Sequence, residues 1–320
     1  MPRSVFTRLF LVMVLLVGGW APPALAQLFE TRAKQAYLID ADTGTVLFAK
    51  NEDEPVPPAS LAKLMTMEVV FNAIHTGRLT LDDTFQVSEN AWRTGGAISR
   101  TSTMFAELKS SIRLEDLIQG VIVQSANDGC IIIAEGMAGS EENFARLMTE
   151  RARAIGLTTS VFGNSNGLPH PDSKVTMKDL VTLAHHIQST YPEFYKYYAQ
   201  PDFTWNNIRQ RNRNPLLGLD IGVDGLKTGF TEESGYGIVS SIKRDGRRLF
   251  LAMSGMATER ERAEESRKML EWGIRAFERK TLFAKDETIG EVSVYGGAAS
   301  AIVKARGAVD ILLPITNPDR

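Results

Sequence analysis

The pattern of hydrophobic and polar positions is of β type near the start of the chain and helical over the long segment that follows. Residues 37–40 and 45–48 are rich in residues that favour strands, and the segment 41–44 between them carries a turn signal. After a proline-rich break, Ser60 opens a helical stretch with apolar residues at three- and four-residue intervals, and the pattern stays mostly helical to about Pro215. The pattern therefore predicts a β-hairpin followed by a block made mostly of helices.

The pattern returns to β type after Gly222, where two apolar segments, 237–242 and 248–253, flank an Asp-Gly turn signal. A capping box at 258–261 then predicts a helix that continues to about Lys280. One sheet assembled from both ends of the chain, with the helical block packed on it, satisfies this order of elements. We therefore expect an α/β (α+β) fold built on an antiparallel sheet.

Both ends of the chain differ in composition from the middle. Residues 1–26 begin with positive charge, continue with an apolar run at 9–20 and end with the small-x-small sequence at 24–26. That run is shorter than the ~20 residues that a membrane-spanning helix needs, so we expect a cleaved signal peptide rather than an uncleaved anchor. We expect one large domain over 27–280. Over 281–320 we expect the start of a β-rich module, too short to form a core alone.

Composition narrows the classes of function. The formal net charge is −2, and no basic block is present that would indicate nucleic-acid binding. The single cysteine, Cys130, cannot form an internal disulfide and lies in an apolar segment, which favours a buried thiol over a nucleophile. His185 and His186 are adjacent, so on a helix they point about 100° apart and cannot share a metal. We expect neither a metal nor a cofactor.

Three short motifs with polar side chains occur in order along the chain. They are Ser60-Leu61-Ala62-Lys63, Ser125-Ala126-Asn127 and Lys227-Thr228-Gly229. On a helix, Ser60 and Lys63 share one face about 5–6 Å apart, which lets the lysine accept the serine proton. Lys63 can do so only as a neutral amine, so its pKa must fall from about 10.4 through burial and nearby positive charge, which Lys227 can supply. Ser60 is therefore the candidate nucleophile of an acyl transfer, and Lys63 is its candidate base.

The other motif residues suit the remaining tasks of an acyl transfer. The N–H of a serine at a helix start lies where an oxyanion develops, and the helix dipole assists it. Ser125 can relay a proton to the leaving amine, and Asn127 can orient the base and the substrate amide. Gly229 lets an extended peptide pair with a strand edge, where Lys227 and Thr228 can hold a terminal carboxylate.

Other segments of the chain also match such motifs, so a single match does not identify a catalytic site. The segment 240–243 also matches Ser-x-x-Lys, but it lies in a predicted strand, where positions three apart face opposite sides. The segment 88–90 matches Ser-x-Asn, without apolar surroundings that would place it beside a core. The segment 163–167 fits Gly-x-Ser-x-Gly, but no buried strand precedes it and prolines follow it, so we predict a glycine-rich loop. A helix cap, a solvated lysine or a strand end explains any one motif, and only the ordered set favours catalysis.

The three motifs resemble those of the penicillin-recognising serine enzymes. Within that group the chain is most similar to D-alanyl-D-alanine carboxypeptidases of the low-molecular-mass penicillin-binding protein type. The resemblance covers about residues 30–280 and is carried by the segments 37–44, 57–66, 123–128 and 223–231. It implies a β-lactamase/transpeptidase-like fold, with 27–280 as the penicillin-binding catalytic domain.

The resemblance also implies a reaction. A peptidoglycan stem peptide ending in D-Ala-D-Ala acylates Ser60 and releases D-alanine, water hydrolyses the acyl-enzyme, and β-lactams acylate the same serine. The N–H groups of Ser60 and Phe230 are implied as the oxyanion hole, and Arg262 as a contact of the substrate carboxylate. Chains of this family continue to a complete second domain and a C-terminal membrane helix. This chain stops at Arg320, so we expect a truncated second domain and no support from this chain for membrane attachment.

The sequence leaves two other functions open. A serine β-lactamase of the same fold needs a fast deacylation base, usually in a Glu-x-x-x-Asn loop, and no glutamate within 128–226 has an asparagine four residues later. A sensor module is acylated by β-lactams without turnover, and the intact motifs argue against it. We expect an exported enzyme in the periplasm or at the outer face of the cytoplasmic membrane. Its preference for carboxypeptidase or endopeptidase cleavage and for the third stem-peptide residue stays open.

Overall fold

An antiparallel sheet built from both ends of the chain forms the centre of the computed structural model, which describes residues 29–297 and 299–315. The strands of this sheet are β1 Gln35–Asp40, β2 Val46–Lys50, β7 Val223–Thr231, β8 Gly235–Arg244 and β9 Arg247–Met256. They form a five-stranded sheet in the order β2-β1-β9-β8-β7. Strand β1 pairs with β9, which confirms the predicted sheet. The expected signal peptide at 1–26 lies outside the described residues.

The helical block lies between β2 and β7 along the chain. Its α-helices are α1 Lys63–His75, α2 Leu114–Gln119, α3 Asn127–Ala138, α4 Glu141–Ala154, α5 Met177–Thr190 and α6 Pro192–Tyr195. Shorter 3₁₀ turns cover Ala59–Ala62, Ala97–Ser99, Lys196–Ala199 and Leu217–Leu219, and π-helical turns cover Ala91–Gly95 and Gly120–Gln124. Two two-stranded antiparallel sheets interrupt the block. The strand β3 Thr84–Gln86 pairs with β4 Ser111–Arg113, and β5 Asp202–Trp205 forms a hairpin with β6 Ile208–Arg211.

The two faces of the sheet bury different side chains because successive residues of a strand point to opposite sides. In β9, Phe250 and Ala252 join the core that the sheet shares with the helical block. Leu249, Leu251 and Met253 join a second core on the other face, under the helix α7 Glu259–Arg275. The sheet is therefore covered on both faces. Helix α5 packs on β9 and β1, and the 3₁₀ turn Ala59–Ala62 lies against the edge strand β7.

Helix α7 begins as the sequence predicts but ends earlier. Thr258 caps its start by accepting a hydrogen bond from the N–H of Glu261. The prediction that the helix continues to about Lys280 is wrong, because α7 ends at Arg275. Residues Phe277–Phe283 form strand β10 instead, which pairs with the distant strand β13 Val309–Pro314. Pairing with a strand far along the chain overrides the local helical preference of these residues.

The last part of the chain contains two strand pairs. Besides β10 and β13, strand β11 Thr288–Ser293 pairs with β12 Ser300–Lys304. The predicted domain boundary at residue 280 falls inside β10, and the division of the chain into domains stays a prediction. Within 29–297 and 299–315, each helix is too short or too polar to cross a bilayer.

Candidate active site

Ser60 lies in the 3₁₀ turn that runs directly into α1. The N–H of Leu61 donates to the carbonyl of Pro58 at 3.1 Å, and this closes the turn. The turn and the helix place Lys63 one turn after Ser60, and the Lys63 Nζ lies 3.0 Å from the Ser60 Oγ. Ala59, Leu61 and Ala62 are buried, whereas Ser60 is only half-buried and borders two cavities. The core thus anchors the turn and leaves its hydroxyl accessible.

Lys63 is buried and surrounded by hydrogen-bond acceptors. Only 1% of the residue is exposed. Its Nζ donates to the Ser60 Oγ, to the Asn127 Oδ1 at 2.7 Å and to the Asn166 carbonyl at 2.5 Å. These contacts fix the amine at the position where it meets the serine hydroxyl.

Burial lowers the pKa of Lys63 to about 8, because the charged amine loses its hydration. The positive charge of Arg213 lowers this pKa further, whereas Cys130, Glu141 and Asp128 oppose the shift. Burial and the nearby Lys63 charge also hold the pKa of Lys227 well below its usual range. At pH 7 about a tenth of Lys63 is therefore neutral and available as a base, far more than for a solvated lysine with a pKa of about 10.4.

The second motif begins where the helical path is interrupted. Ser125 follows the π-helical turn Gly120–Gln124 with a φ of 66°, and α3 begins two residues later at Asn127. The Asn127 side chain accepts from Lys63 and donates to the Thr101 Oγ1 at 2.9 Å. The Ser125 Oγ is buried and has no hydrogen-bond partner within the described residues, although it borders the same cavity as Ser60. This hydroxyl is therefore free to bond with a substrate.

The third motif lies on β7, the edge strand of the sheet, beside the turn that carries Ser60. A Cβ placed on Gly229 would lie 3.2 Å from the Ser60 nitrogen and 3.1 Å from the Ala59 Cβ. A larger residue would therefore press on the backbone of Ser60. Lys227 and Thr228 are buried, and among the described residues the Lys227 Nζ donates only to the Thr228 carbonyl at 3.3 Å. An edge strand at this distance suits the binding of an extended peptide across Ser60.

A cationic cavity of about 700 Å³ lies on one side of Ser60. Its lining includes Ser125, Thr228, the three arginines Arg213, Arg260 and Arg262, and one carboxylate, Glu259. The Arg262 guanidinium lies 5.6 Å from the centre of the Tyr236 ring, and its Nε has no hydrogen-bond partner within the described residues. The Arg213 Nη1 donates to the Ser102 Oγ at 2.8 Å. Two arginines and a buried hydroxyl together suit a carboxylate.

A second cavity of about 590 Å³ lies on the other side of Ser60. Its walls are mostly apolar, with Pro58, Leu168 and Phe230 among them, and Glu232 and Glu233 lie at its border. Phe230 lines both cavities, and its ring lies 4.3 Å from that of Tyr236, measured between centroids. Ser60 therefore lies between a cationic cavity and a largely apolar one.

The loop 163–167 has no helix or strand, as predicted, but it contributes more than the sequence indicates. Besides the Asn166 carbonyl on Lys63, its Ser165 carbonyl accepts from the Thr66 Oγ1 at 2.5 Å. A Cβ on Gly167 would lie 1.8 Å from the Ala59 carbonyl oxygen, so only glycine allows the loop this close. Sequence reasoning missed the loop because backbone carbonyls leave no side-chain signature. It also missed Arg213, which follows the short β5–β6 hairpin and belongs to none of the three motifs.

The structure agrees with the sequence analysis on Cys130 and on the segment 88–90. Cys130 is fully buried, and burial raises the pKa of its thiol to about 12, which confirms the predicted inert thiol. In the segment 88–90, the Ser88 Oγ accepts from the N–H of Ala91, and the Asn90 Nδ2 donates to Glu135 at an exposed position. This second Ser-x-Asn sequence is therefore a local helix cap and takes no part in the site.

Comparisons with known proteins agree with this geometry. The family model described as D-alanyl-D-alanine carboxypeptidase, Peptidase_S11, matches residues 22–258. D-alanyl-D-alanine carboxypeptidase DacC of Escherichia coli K12 is 38% identical over 86% of this chain and 72% of the relative. DacA of Haemophilus influenzae is 37% identical over 89% of this chain and 71% of the relative.

Solved structures show the same fold. Penicillin binding protein 5 from Haemophilus influenzae superposes with a TM-score of 0.82 at 35% identity, over 94% of this chain and 86% of that one. Penicillin binding protein 6B from Escherichia coli gives a TM-score of 0.78 at 33% identity, over 93% and 89%. The predicted fold class and family are confirmed, and the chain belongs to the D-alanyl-D-alanine carboxypeptidase family of serine peptidases.

Proposed function

We propose that this protein removes the terminal D-alanine from peptidoglycan stem peptides through an acyl-enzyme on Ser60. The observation that carries the proposal is the buried Lys63 amine, 3.0 Å from the Ser60 hydroxyl, at the point where the three motifs meet. β-Lactams acylate the same serine in this proposal. The names of the relatives, which are D-alanyl-D-alanine carboxypeptidases and penicillin-binding proteins, support both substrates.

Acylation begins when neutral Lys63 takes the Ser60 proton and the Ser60 oxygen attacks the carbonyl between the two D-alanines. The oxyanion that forms is held by the N–H groups of Ser60 and Phe230. The close approach of β7 to the Ser60 nitrogen at Gly229 supports this arrangement. The intermediate then collapses: the Ser125 hydroxyl donates its proton to the leaving amine and takes the proton that Lys63 removed from Ser60, so that D-alanine departs and Lys63 is neutral again.

The two cavities determine the orientation in which the substrate peptide binds. The terminal carboxylate lies in the cationic cavity, where Thr228, Arg213 and Arg262 face it. The acyl half of the stem peptide lies along β7 toward the apolar cavity beside Leu168 and Phe230. Water then attacks the acyl-enzyme with Lys63 as the base and restores Ser60. Asn127 holds the amine in place through both steps.

The place of action follows from the chain's first residues. The charge, apolar run and small-x-small sequence at 1–26 support export, and we propose that the enzyme works in the periplasm or at the outer face of the cytoplasmic membrane.

Release of D-alanine from a diacyl-lysyl-D-Ala-D-Ala tripeptide by the purified protein tests the proposal. We expect release by the wild type and none by Ser60→Ala. Penicillin labelling without D-alanine release would indicate a sensor instead. Rapid hydrolysis of penicillin by the wild type would indicate a β-lactamase.

A further inference from the structure

The loop 163–167 holds two consecutive turns of α1 by its backbone. The Lys63 Nζ donates to the Asn166 carbonyl and, one turn later, the Thr66 Oγ1 donates to the Ser165 carbonyl, each at 2.5 Å. Both donors are buried. The position of the catalytic amine therefore depends on where this loop lies.

A carboxylate on another helix fixes the loop. Ser165 is fully buried, and its Oγ donates to the Glu141 Oε1 at the start of α4. Glu141 is thereby connected to the base through one side chain and one peptide group. None of the steps of the proposed reaction uses Glu141 or Ser165.

We propose that Glu141 is a positioning residue for Lys63, which acts through Ser165 to hold the Asn166 carbonyl against the amine. The inference rests on the proposed role of Lys63 as the base. It assigns Glu141 a task that α4 itself does not require, because Ser140 already caps the helix by accepting from the N–H of Asn143.

Glu142, the residue after Glu141, has a carboxylate in different surroundings. Glu142 is exposed and pairs with Arg146 on the surface of α4 at 3.3 Å. Glu141, one residue earlier, turns inward to Ser165. The two adjacent glutamates therefore offer a matched pair of variants on the same helical turn.

The charge of Glu141 adds an effect that can be measured. The titratable groups around Lys63 are Arg213, which lowers its pKa, Cys130, Asp128 and Glu141, which raise it, and Lys227, whose own pKa the Lys63 charge lowers. Burial raises the pKa of Glu141 itself, and the Ser165 hydrogen bond opposes that shift. Removing the Glu141 charge therefore lowers the pKa of Lys63, so that the neutral base is present at lower pH.

The pH dependence of penicillin acylation separates the positioning role from a merely structural one. In Glu141→Gln the amide keeps an acceptor for Ser165 and removes the charge. We expect the acidic limb of the acylation rate profile to move to lower pH by about half a unit or more, as expected for one buried charge. Glu142→Gln, the control, should leave the limb where the wild type has it.

Ser165→Ala tests the connection itself, because it keeps the charge and removes the hydrogen bond. We expect the plateau of the acylation rate to fall about tenfold, which corresponds to the loss of one hydrogen bond near the reacting groups. A thermal unfolding curve for each variant shows that the rate is measured on folded protein.

Two results would overturn the proposal. Profiles of Glu141→Gln and Ser165→Ala that superpose on the wild type would show that Glu141 does not position Lys63, while the proposed function stands. A wild-type profile without any limb near the pKa of Lys63 would remove the proposed function and this inference together.

Discussion

Two segments of this chain carry the sequence Ser-x-x-Lys, and only one of them builds a site. In the first, a 3₁₀ turn leads into α1, and the Lys63 Nζ lies 3.0 Å from the Ser60 Oγ. The second, at 240–243, lies in β8. There Ser240 is buried and its Oγ donates to the Gly225 carbonyl at 2.9 Å, whereas Lys243 is exposed on the opposite face.

The difference shows that the backbone, and not the residue types, brings the serine and the lysine together. Residues three apart share a face on a helix and face opposite sides in a strand. The surroundings then separate the two lysines further, because burial lowers the pKa of Lys63 to about 8. The following predictions test this difference, from the largest expected effect to the smallest.

Lys63→Met should lower the rate of penicillin acylation by about 10²- to 10⁴-fold, the usual contribution of a general base. Methionine keeps the length of the side chain and removes the amine. Lys243→Met is the matched control in the strand segment and should acylate at the wild-type rate. Stopped-flow or gel-based labelling with a fluorescent penicillin measures both. Equal rates in the two variants would contradict the assignment of the base.

Arg262→Ala tests a group that Ser60 has nearby and Ser240 lacks. Loss of one charge-assisted hydrogen bond to the substrate carboxylate should lower kcat/KM for a D-Ala-D-Ala peptide by about 10- to 100-fold. Arg267 is on the same helix, pairs with Glu271 at 3.0 Å and provides the control Arg267→Ala. An equal loss of activity in both variants would indicate that the substitutions disturb α7, and not that Arg262 contacts the substrate carboxylate.

The pH dependence of acylation should reflect the buried lysine. Because only neutral Lys63 accepts the serine proton, the rate should rise about tenfold per pH unit below the pKa and level off above it. The midpoint should lie near the lowered pKa of about 8. A midpoint near about 10.4, the value of a solvated lysine, would show that burial does not activate Lys63.

Ser240→Ala should have the smallest effect. It removes one buried hydrogen bond, which lowers the free energy of unfolding by about 0.5–1.5 kcal/mol. The Gly225 carbonyl keeps a second donor, the Asn214 Nδ2 at 2.9 Å, so the change should lie at the lower end. Urea unfolding measures it, and penicillin labelling should stay at one equivalent. A loss of labelling in this variant would undo the contrast between the two segments.

The comparison also explains how much of the molecule the sequence predicts. The Asp-Gly turn between β8 and β9 and the cap at Thr258 depend on residues adjacent in sequence, and both predictions are confirmed. The end of α7 at Arg275 depends on β13, a strand much later in the chain, so local preferences misplace it. Pairing over such a distance is invisible to a pattern of neighbours.

The same distinction between local and distant contacts applies to the residues of the candidate site. The three motifs are recognisable because each is a short run of side chains, and their order limits the alternatives. The Asn166 carbonyl and Arg213 are not, because one is backbone and the other belongs to no motif, although both act on Lys63. Their contribution depends on how distant loops pack around α1. The catalytic roles of the motif residues stay predictions until variants test them.

Mass mapping of the penicillin adduct tests the central claim most directly. The purified protein is labelled with benzylpenicillin and digested, and the modified peptide is sequenced by tandem mass spectrometry. We predict one adduct per chain, located on Ser60, and no adduct in Ser60→Ala. An adduct on Ser240 or another residue, or labelling that persists in Ser60→Ala, would contradict the account.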